Sequence, residues 1–414
     1  VAALGNSGSN SQLGSSGNIT LGGGGNSGQL TWTGNSETSD KVFTLGGSTG
    51  GGTISASTSS QTLTLISALA GGSSTSNRTL TLAGAGNVAF SGLIGNGTGA
   101  SGGVVSLTKI GAGNGYLSNA SNSFTGAVFV KQGTLYVPSV GSIGASGPLG
   151  GGETISLGDS TNAGTLRTTN TVDETSDKVI ALAGTTGGGS ITSNVVSQTA
   201  PSAVVTFTKD LSVVGTGAKT FGLVSSSGTC GVKFNGLIAD GAGSVISVRV
   251  NGSGTGNFSL GNSANSFTGS VTIDGNIINK TTTLNVPLIG ITGLNSGIGT
   301  SSTVKLGSAV AGSDNLLAHT GTGEVTDKVM NLAGTLGNGG VSQSGTGLLK
   351  FTSAMTATGL GAKSFILSGS TAGAGEFAGA IVDSASGATT LRKQGSGIWS
   401  VTGTNTYSGG TEVT

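Results

Sequence analysis

Few residues in this sequence could carry chemistry, and the clearest cluster of them is one short motif that recurs. Only 8% of the 414 residues are charged, yet the pattern Glu-x-Ser/Thr-Asp-Lys-Val occurs three times, at 37–42, 174–179 and 324–329. The carboxylates that it repeats are Glu37, Asp40, Glu174, Asp177, Glu324 and Asp327. Calcium prefers carboxylate oxygens, so these six residues are the candidate metal ligands of the sequence.

A structural interpretation of the same motif is nevertheless favoured. Two carboxylates beside a lysine supply too few ligands for calcium, which takes about six to eight oxygens. Ser, Thr and Asp side chains bond readily to nearby backbone, so the motif predicts a turn before a Val-x-x-Leu strand. The sequence therefore predicts no resident metal and no cofactor, and calcium stays the alternative.

The other residues capable of chemistry are isolated. His319 is the only histidine and, counted back from the following motif, it lies where the other copies have Trp32 and Thr169. Such free replacement predicts an exposed side chain without a catalytic role. Cys230 is the only cysteine, which excludes a disulfide framework and a cysteine-based zinc site. The scattered acids form no pair typical of a carbohydrate-active β-helix enzyme, so we predict no enzymatic activity.

Composition and charge exclude several further classes of protein. The net charge is +1, without a basic stripe that could neutralise phosphates, which argues against nucleic acid as a partner. No apolar run approaches the roughly 18 residues of a transmembrane segment. Gly accounts for 82 residues, but the hydrophobic share of 34% is patterned, unlike that of disordered chains.

Internal repeats organise the chain. Besides the charged motif, a Phe-x-Gly-x-Ile anchor recurs at 90–94, 234–238 and 377–381. An Asn-Ser/Thr-Phe/Tyr-Thr/Ser-Gly anchor recurs at 122–126, 265–269 and 405–409. Anchors in one fixed order predict three tandem units of about 140 residues, at 1–136, 137–285 and 286–414, in one continuous solenoid.

Within each unit the pattern is that of short β-strands. Segments such as 128–130, 244–250 and 270–273 are rich in β-branched residues, and clusters of Gly, Asn and Ser separate them. A sandwich or a propeller would also use short strands, but aromatic residues, at 4%, are too few for a thick core. The sequence therefore predicts an all-β fold, a right-handed parallel β-helix or solenoid with roughly 20 to 30 residues in each coil.

Residues 391–411, LRKQGSGIWSVTGTNTYSGGT, resemble the autotransporter-associated β-strand repeat of bacterial surface proteins. The first unit keeps the same pattern at 107–113 and 122–126. The middle unit departs from it, since Arg249 stands where the lysine is expected and 277–282 look inserted. The resemblance implies a β-helical passenger or surface fibre of a bacterium that is exported across membranes.

These observations predict a structural role outside the cell or at the cell surface. The leading hypothesis is a subunit of an extracellular filament, whose copies assemble head to tail because unpaired end strands template addition of another chain. Val1 and Leu4 at one end, and Tyr407 and Val413 at the other, are the predicted assembly residues. The alternative is a stalk within one longer chain, an autotransporter-type adhesin passenger that presents a binding tip. Surface glycans or a host cell-surface ligand are the further candidate partners.

Overall fold

The computed structural model describes residues 1–47, 50–72, 75–98, 103–184, 188–194, 203–226, 230–252 and 256–414, and the statements below concern these residues. They form 37 β-strands and no helix. Among them there is accordingly no helix that could cross a membrane. They fall into two compact units, residues 1–170 with 174–190 and residues 171–173 with 191–414.

The strands of the first compact unit are β1 (Asn18–Leu21), β2 (Gly28–Trp32), β3 (Glu37–Ser39), β4 (Val42–Leu45), β5 (Gly52–Ala56), β6 (Thr62–Leu65), β7 (Leu69–Ala70), β8 (Arg78–Ala83), β9 (Asn87–Phe90), β10 (Val105–Lys109), β11 (Asn114–Leu117), β12 (Val128–Val130), β13 (Gly133–Val137), β14 (Thr154–Leu157), β15 (Gly164–Thr168), β16 (Glu174–Ser176) and β17 (Val179–Leu182). Strand β18 (Gly189–Ser193) spans the boundary in the sequence.

The strands of the second compact unit are β19 (Val204–Phe207), β20 (Ser212–Val213), β21 (Gly217–Ser225), β22 (Gly231–Phe234), β23 (Ser244–Gly252), β24 (Asn257–Leu260), β25 (Val271–Ile273), β26 (Thr281–Val286), β27 (Thr303–Leu306), β28 (Asp314–His319), β29 (Glu324–Thr326), β30 (Val329–Leu332), β31 (Asn338–Gln343), β32 (Gly347–Phe351), β33 (Lys363–Gly369), β34 (Gly373–Phe377), β35 (Thr389–Lys393), β36 (Ile398–Val401) and β37 (Thr411–Val413).

The first unit is a parallel β-solenoid. Its strands form three stacks, in the orders β1-β4-β7, β2-β5-β8-β10-β12-β14-β17 and β3-β6-β9-β11-β13-β15. Partners within a stack lie one coil apart in the sequence. That separation is 21 residues between Leu107 and Val128, and 28 residues between Gly52 and Leu80. The predicted fold class and coil length are confirmed.

The interior of the first unit is built from stacked aliphatic side chains. In β8 buried and half-buried residues alternate, as the two-residue period of a strand requires. Leu63 pairs in register with Val88, and Leu135 pairs with Leu166, all fully buried. Each buried side chain of this size contributes about 1.5–3 kcal/mol, which offsets the entropy that so many glycines lose on folding.

The second unit repeats this architecture. Its stacks run β21-β23-β25-β27-β30, β19-β22-β24-β26-β28-β31-β33-β35-β37 and β29-β32-β34-β36. The Phe anchor lies inside the coils. Phe377 stacks on Phe351 with ring centroids 5.6 Å apart, and Phe365 meets the same ring edge-on at 5.0 Å. These offset arrangements are the ones that aromatic rings prefer. The two compact units do not coincide with the three predicted sequence units, whose bounds stay a prediction.

Candidate functional site

Each copy of the charged motif makes a short strand followed by a corner. The strands are β3, β16 and β29, and the Asp-Lys pair lies in the corner before β4, β17 and β30 respectively. Each motif faces a loop that comes about one coil earlier in the chain. We call these the clamped loops, and they comprise residues 4–16, 140–152 and 289–301.

The glutamate of each motif holds the start of its clamped loop. Glu174 accepts hydrogen bonds from the backbone amides of Val140, at 2.9 Å, and Gly141, at 2.6 Å. The other two copies do the same. Glu324 accepts from Ile289 and Gly290 at 2.6 and 2.7 Å, and Glu37 accepts from Leu4 at 2.7 Å. A carboxylate thus satisfies backbone donors that lie outside any strand ladder.

The aspartate and the hydroxyl residue add two more links. Asp177 accepts from the amide of Ile143 at 2.8 Å, and Asp327 accepts from the amide of Thr292 at 2.7 Å. The Thr292 amide holds the pKa of Asp327 below its ordinary value. The hydroxyl of Ser176 donates to the carbonyl of Gly141 at 2.6 Å. Asp40 with Ser7, Ser39 with Gly5 and Thr326 with Gly290 repeat these links.

The lysine of each motif holds the end of its clamped loop from inside the protein. Lys41, Lys178 and Lys328 are all fully buried. The Nζ of Lys328 donates to the carbonyls of Gly299 at 3.0 Å and Ser301 at 2.6 Å. Lys41 donates to Gly14 and Ser16, and Lys178 to Gly150 and Gly152. Burial lowers the pKa of Lys328 to about 8.

The Asn anchor grips two of the clamped loops from the other side. Buried Asn122 accepts from the amide of Ile94 at 2.8 Å and donates to the carbonyl of Pro148 at 2.9 Å. The loop residue Gly150 has a φ of 62°, and an added Cβ would overlap the carbonyl oxygen of Phe124, so only glycine fits there. Asn265 repeats this bridge between Ile238 and Gly297.

The clamp is more extensive than the turn that the sequence predicts. The local part of that turn is present, since the Ser176 hydroxyl accepts from the amide of Lys178 at 3.2 Å. The carboxylates, however, reach backbone 33 to 35 residues earlier in the chain. In the described ranges no three or more His, Cys, Asp or Glu side chains group so as to hold a metal. Calcium binding stays a prediction, and the carboxylates that it would use already accept hydrogen bonds from backbone amides.

His319 is buried, so the prediction of an exposed side chain is wrong. Its exposed fraction is 1%. Its Nδ1 donates to Oε1 of Gln343 at 2.7 Å, and its Nε2 lies 3.4 Å from Oε1 of Glu324. The amides of Thr169 and Thr320 bond equivalent carbonyls, so Thr168 is the true counterpart of His319. One extra residue between Thr168 and Glu174 shifted the count by one position.

In the middle repeat, the position that corresponds to the motif lysine is also one residue away from the predicted one. Lys109 pairs in register with Val130, and Val250 pairs in the same way with Ile273. Val250 therefore replaces the lysine, while Arg249 points outward and forms an ion pair with Asp274 at 2.7 Å. Of the stretch predicted as inserted, residues 277–280 lie in a loop, and Thr281 begins β26.

Sequence reasoning missed a set of buried lysines whose Nζ groups donate hydrogen bonds to backbone carbonyls at the corners between strands. We call them lysine staples. The Nζ of Lys109 donates to the carbonyls of Ile110 at 2.8 Å and Gly111 at 2.7 Å. Lys219 donates to Thr216, and Lys363 to Leu360. The available signal was parity, because Lys109 follows Leu107 by two residues and must share its inward face.

The four predicted assembly residues lie in different settings. Leu4 is buried with its amide on Glu37, and the amino group of Val1 donates to Thr31. The hydroxyl of Tyr407 lies 2.7 Å from that of Thr411, and Val413 is 77% exposed. Val1 and Leu4 belong to the first compact unit, and Tyr407 and Val413 to the second.

Comparison with known proteins identifies the repeat. The model of the passenger-associated transport repeat family matches residues 107–137, 253–275 and 391–414. The adhesin BmaC autotransporter of Brucella suis biovar 1 (strain 1330) is 30% identical over 412 residues. The chain thus contains three segments that match this repeat, and its sequence is similar to part of an autotransporter adhesin. No solved structure matches this chain.

The passenger repeats correspond to features already described. The match at 107–137 contains Lys109, Asn122 and Phe124, which staple a corner and grip a clamped loop. The match at 391–414 contains the corresponding Lys393 and Asn405. The alignment with the Brucella adhesin covers 96% of this chain but 9% of the adhesin, so the chain spans about a tenth of that relative.

Proposed function

We propose that this passenger repeat protein is a stalk segment of a surface adhesin, and that it acts outside the cell without catalysing a reaction. One observation carries the proposal. The same inward-facing framework of strands, lysine staples and clamped loops recurs along the chain, and its sequence is similar to a segment of an autotransporter adhesin. A framework repeated in this way maintains spacing, which is what a stalk requires.

The use made of the charged groups supports a structural role. Catalysis by carboxylates needs a pair that faces the substrate. Glu174 and Glu324 instead accept backbone amides of the clamped loops, and Lys178 and Lys328 are buried against carbonyls. The charged residues of the motif are thus committed to holding backbone in place.

Two measurements on the producing bacterium test the proposal. Antibodies raised against residues 1–414 are expected to label intact, unpermeabilised cells. Immunoblots are expected to place the epitope in a polypeptide longer than this chain. Label that is seen only after permeabilisation would overturn the proposed location.

Head-to-tail assembly through Val1, Leu4, Tyr407 and Val413 is the competing proposal. Its support is a general one, because a strand whose edge is unpaired can template the addition of another chain. Recovery of the 414-residue chain in concentration-dependent polymers by light scattering would favour the filament. A monomer at high concentration would favour the stalk.

A further inference from the structure

A groove lined mainly by residues with polar or charged side chains opens on the outer face of the second unit. Its volume is about 420 Å³, within the range of small-molecule sites. It lies where β23, β25, β27 and β30 end, and three of its lining residues, Gly307, Ala333 and Gly334, have no side chain beyond Cβ. Asn276, from the loop that lengthens the middle repeat, lines it as well.

Two cations stand at fixed positions along this groove. Arg249 pairs in register with Thr272, and Thr272 pairs with Lys305, so the Cα atoms of Arg249 and Lys305 are two strands apart, roughly 10 Å. Arg249 is 54% exposed, and Asp274 fixes its guanidinium through Nε–Oδ2 and Nη2–Oδ2 contacts of 2.8 and 2.7 Å. Lys305 is exposed and has no side-chain partner among the described residues.

The balance of charge leaves the groove cationic. Asp274 is its only acid and is already paired with Arg249, so the charge of Lys305 is uncompensated. A ligand that carries carboxylate or sulfate groups would therefore be attracted here.

The remaining lining groups distinguish a saccharide from a peptide. Asn251, Thr272, Asn276 and Thr335 present amides and hydroxyls, which match a ligand rich in hydroxyl groups. No aromatic or large aliphatic side chain lines the groove to receive a peptide anchor. β25 and β27 already have parallel partners on both sides, so a peptide cannot add to their edges as a strand.

We propose that this groove binds an acidic saccharide, with Lys305 and Arg249 holding its carboxylate or sulfate groups and the neighbouring amides and hydroxyls holding its ring. Asp274 is a positioning residue, because it acts through Arg249. The site adds a binding function to the proposed stalk. Its failure would leave the stalk proposal intact, since that proposal is tested by location and polypeptide length.

The test uses the purified chain and immobilised oligosaccharides of hyaluronan, chondroitin sulfate and polysialic acid, with chitin oligosaccharides as the neutral control. At least one acidic probe is expected to bind, more weakly as salt increases. Lys305→Glu is expected to weaken that binding at least tenfold without affecting folding, because Lys305 is exposed. Arg249→Gln is expected to weaken it as well. Lys209→Glu is the matched control, since Lys209 is an exposed lysine outside the groove.

Three results would overturn the proposal. The first is that none of the acidic probes binds. The second is that Lys305→Glu weakens binding no more than Lys209→Glu does. The third is that polyglutamate competes as well as the free oligosaccharide, since the groove would then select charge without recognising sugar.

Discussion

At the scale of single residues, the buried lysines supply hydrogen-bond donors to backbone carbonyls at the corners of the coils. Corner carbonyls point inward where strands end, and each needs a donor. A lysine supplies three N–H groups on a long apolar stem, so Lys109 can reach the carbonyls of Ile110 and Gly111 from within the core. The amine loses its hydration in return, which lowers the pKa of Lys109 to about 8.

This shift predicts a pH dependence of stability. The pKa of Lys109 falls from 10.5 in the unfolded chain to about 8 in the folded one, so between these values the unfolded chain holds a proton that the folded chain has released. The free energy of unfolding contributed by this residue therefore rises with pH in that window. From about pH 7.5 to about pH 9.5 the natural protein should gain roughly 1–2 kcal/mol relative to Lys109→Met, by urea denaturation.

Groups that titrate equally in both proteins cancel in this comparison. A stability difference that stays constant between the two pH values would mean that the Lys109 amine is hydrated in the folded chain. Lys131→Met is the matched control, because it makes the same substitution at an exposed lysine.

At the residue level, parity could have predicted the buried lysines, but nothing in the sequence indicates partners that are remote in the chain. The spacing of Leu107 and Lys109 predicts that the lysine points inward. The reason for a charged residue on an inward face becomes clear only when its carbonyl partners are known. The wrong assignment of Thr169 as the counterpart of His319 has a simpler cause. Counting along Gly-rich repeats cannot detect a single inserted residue, such as the one between Thr168 and Glu174, and only the hydrogen-bond register does.

At the scale of elements, the clamped loop is the distinctive part of the repeat. The sequence motif correctly predicts a turn with a local hydrogen bond to the hydroxyl of its Ser or Thr residue. It does not predict the loop, because the partners of the carboxylate are backbone amides, which any residue offers. Val140 and Ile289 are each followed by glycine, but an aliphatic-Gly pair is too common in this sequence to mark them as partners of Glu174 and Glu324.

Removing one clamp should loosen one loop. Glu174→Ala leaves the amides of Val140 and Gly141 without their acceptor, at a cost of roughly 1–3 kcal/mol. Hydrogen exchange of the amides in 140–152 should then become about 10- to 100-fold faster. Glu153→Ala is the matched control, since Glu153 is exposed and next to the same loop. Equal exchange in the two variants would show that the carboxylate does not hold the loop.

The same geometry bears on calcium. Because the carboxylates of Glu174, Asp177, Glu324 and Asp327 accept backbone amides, we expect them to be poor ligands for a hard cation. The melting midpoint should be the same in millimolar calcium and in excess chelator. A higher midpoint with calcium that disappears in Glu174→Gln would instead establish a metal site.

At the scale of the whole molecule, the fold class followed from the sequence because the repeats fix both coil length and inward pattern. Glycine and short β-branched strands leave few architectures that bury enough apolar surface, and stacked parallel coils are the one found in both compact units. The bounds of those units were not predictable. They depend on how densely neighbouring coils pack, which the sequence anchors do not record.

This division of inward and outward groups predicts which lysines a reagent can reach. Reductive methylation of the native protein should modify the exposed Lys131, Lys209, Lys280 and Lys305. It should spare Lys41, Lys109, Lys178, Lys219, Lys328 and Lys363, whose amines lie within the coils. Mass spectrometry of the digested protein reads out each site, and the chain unfolded in urea should react at all of them. Modification of the second group at the rate of the first would mean that the coils open readily, and the clamps and staples described here would then contribute little to holding them closed.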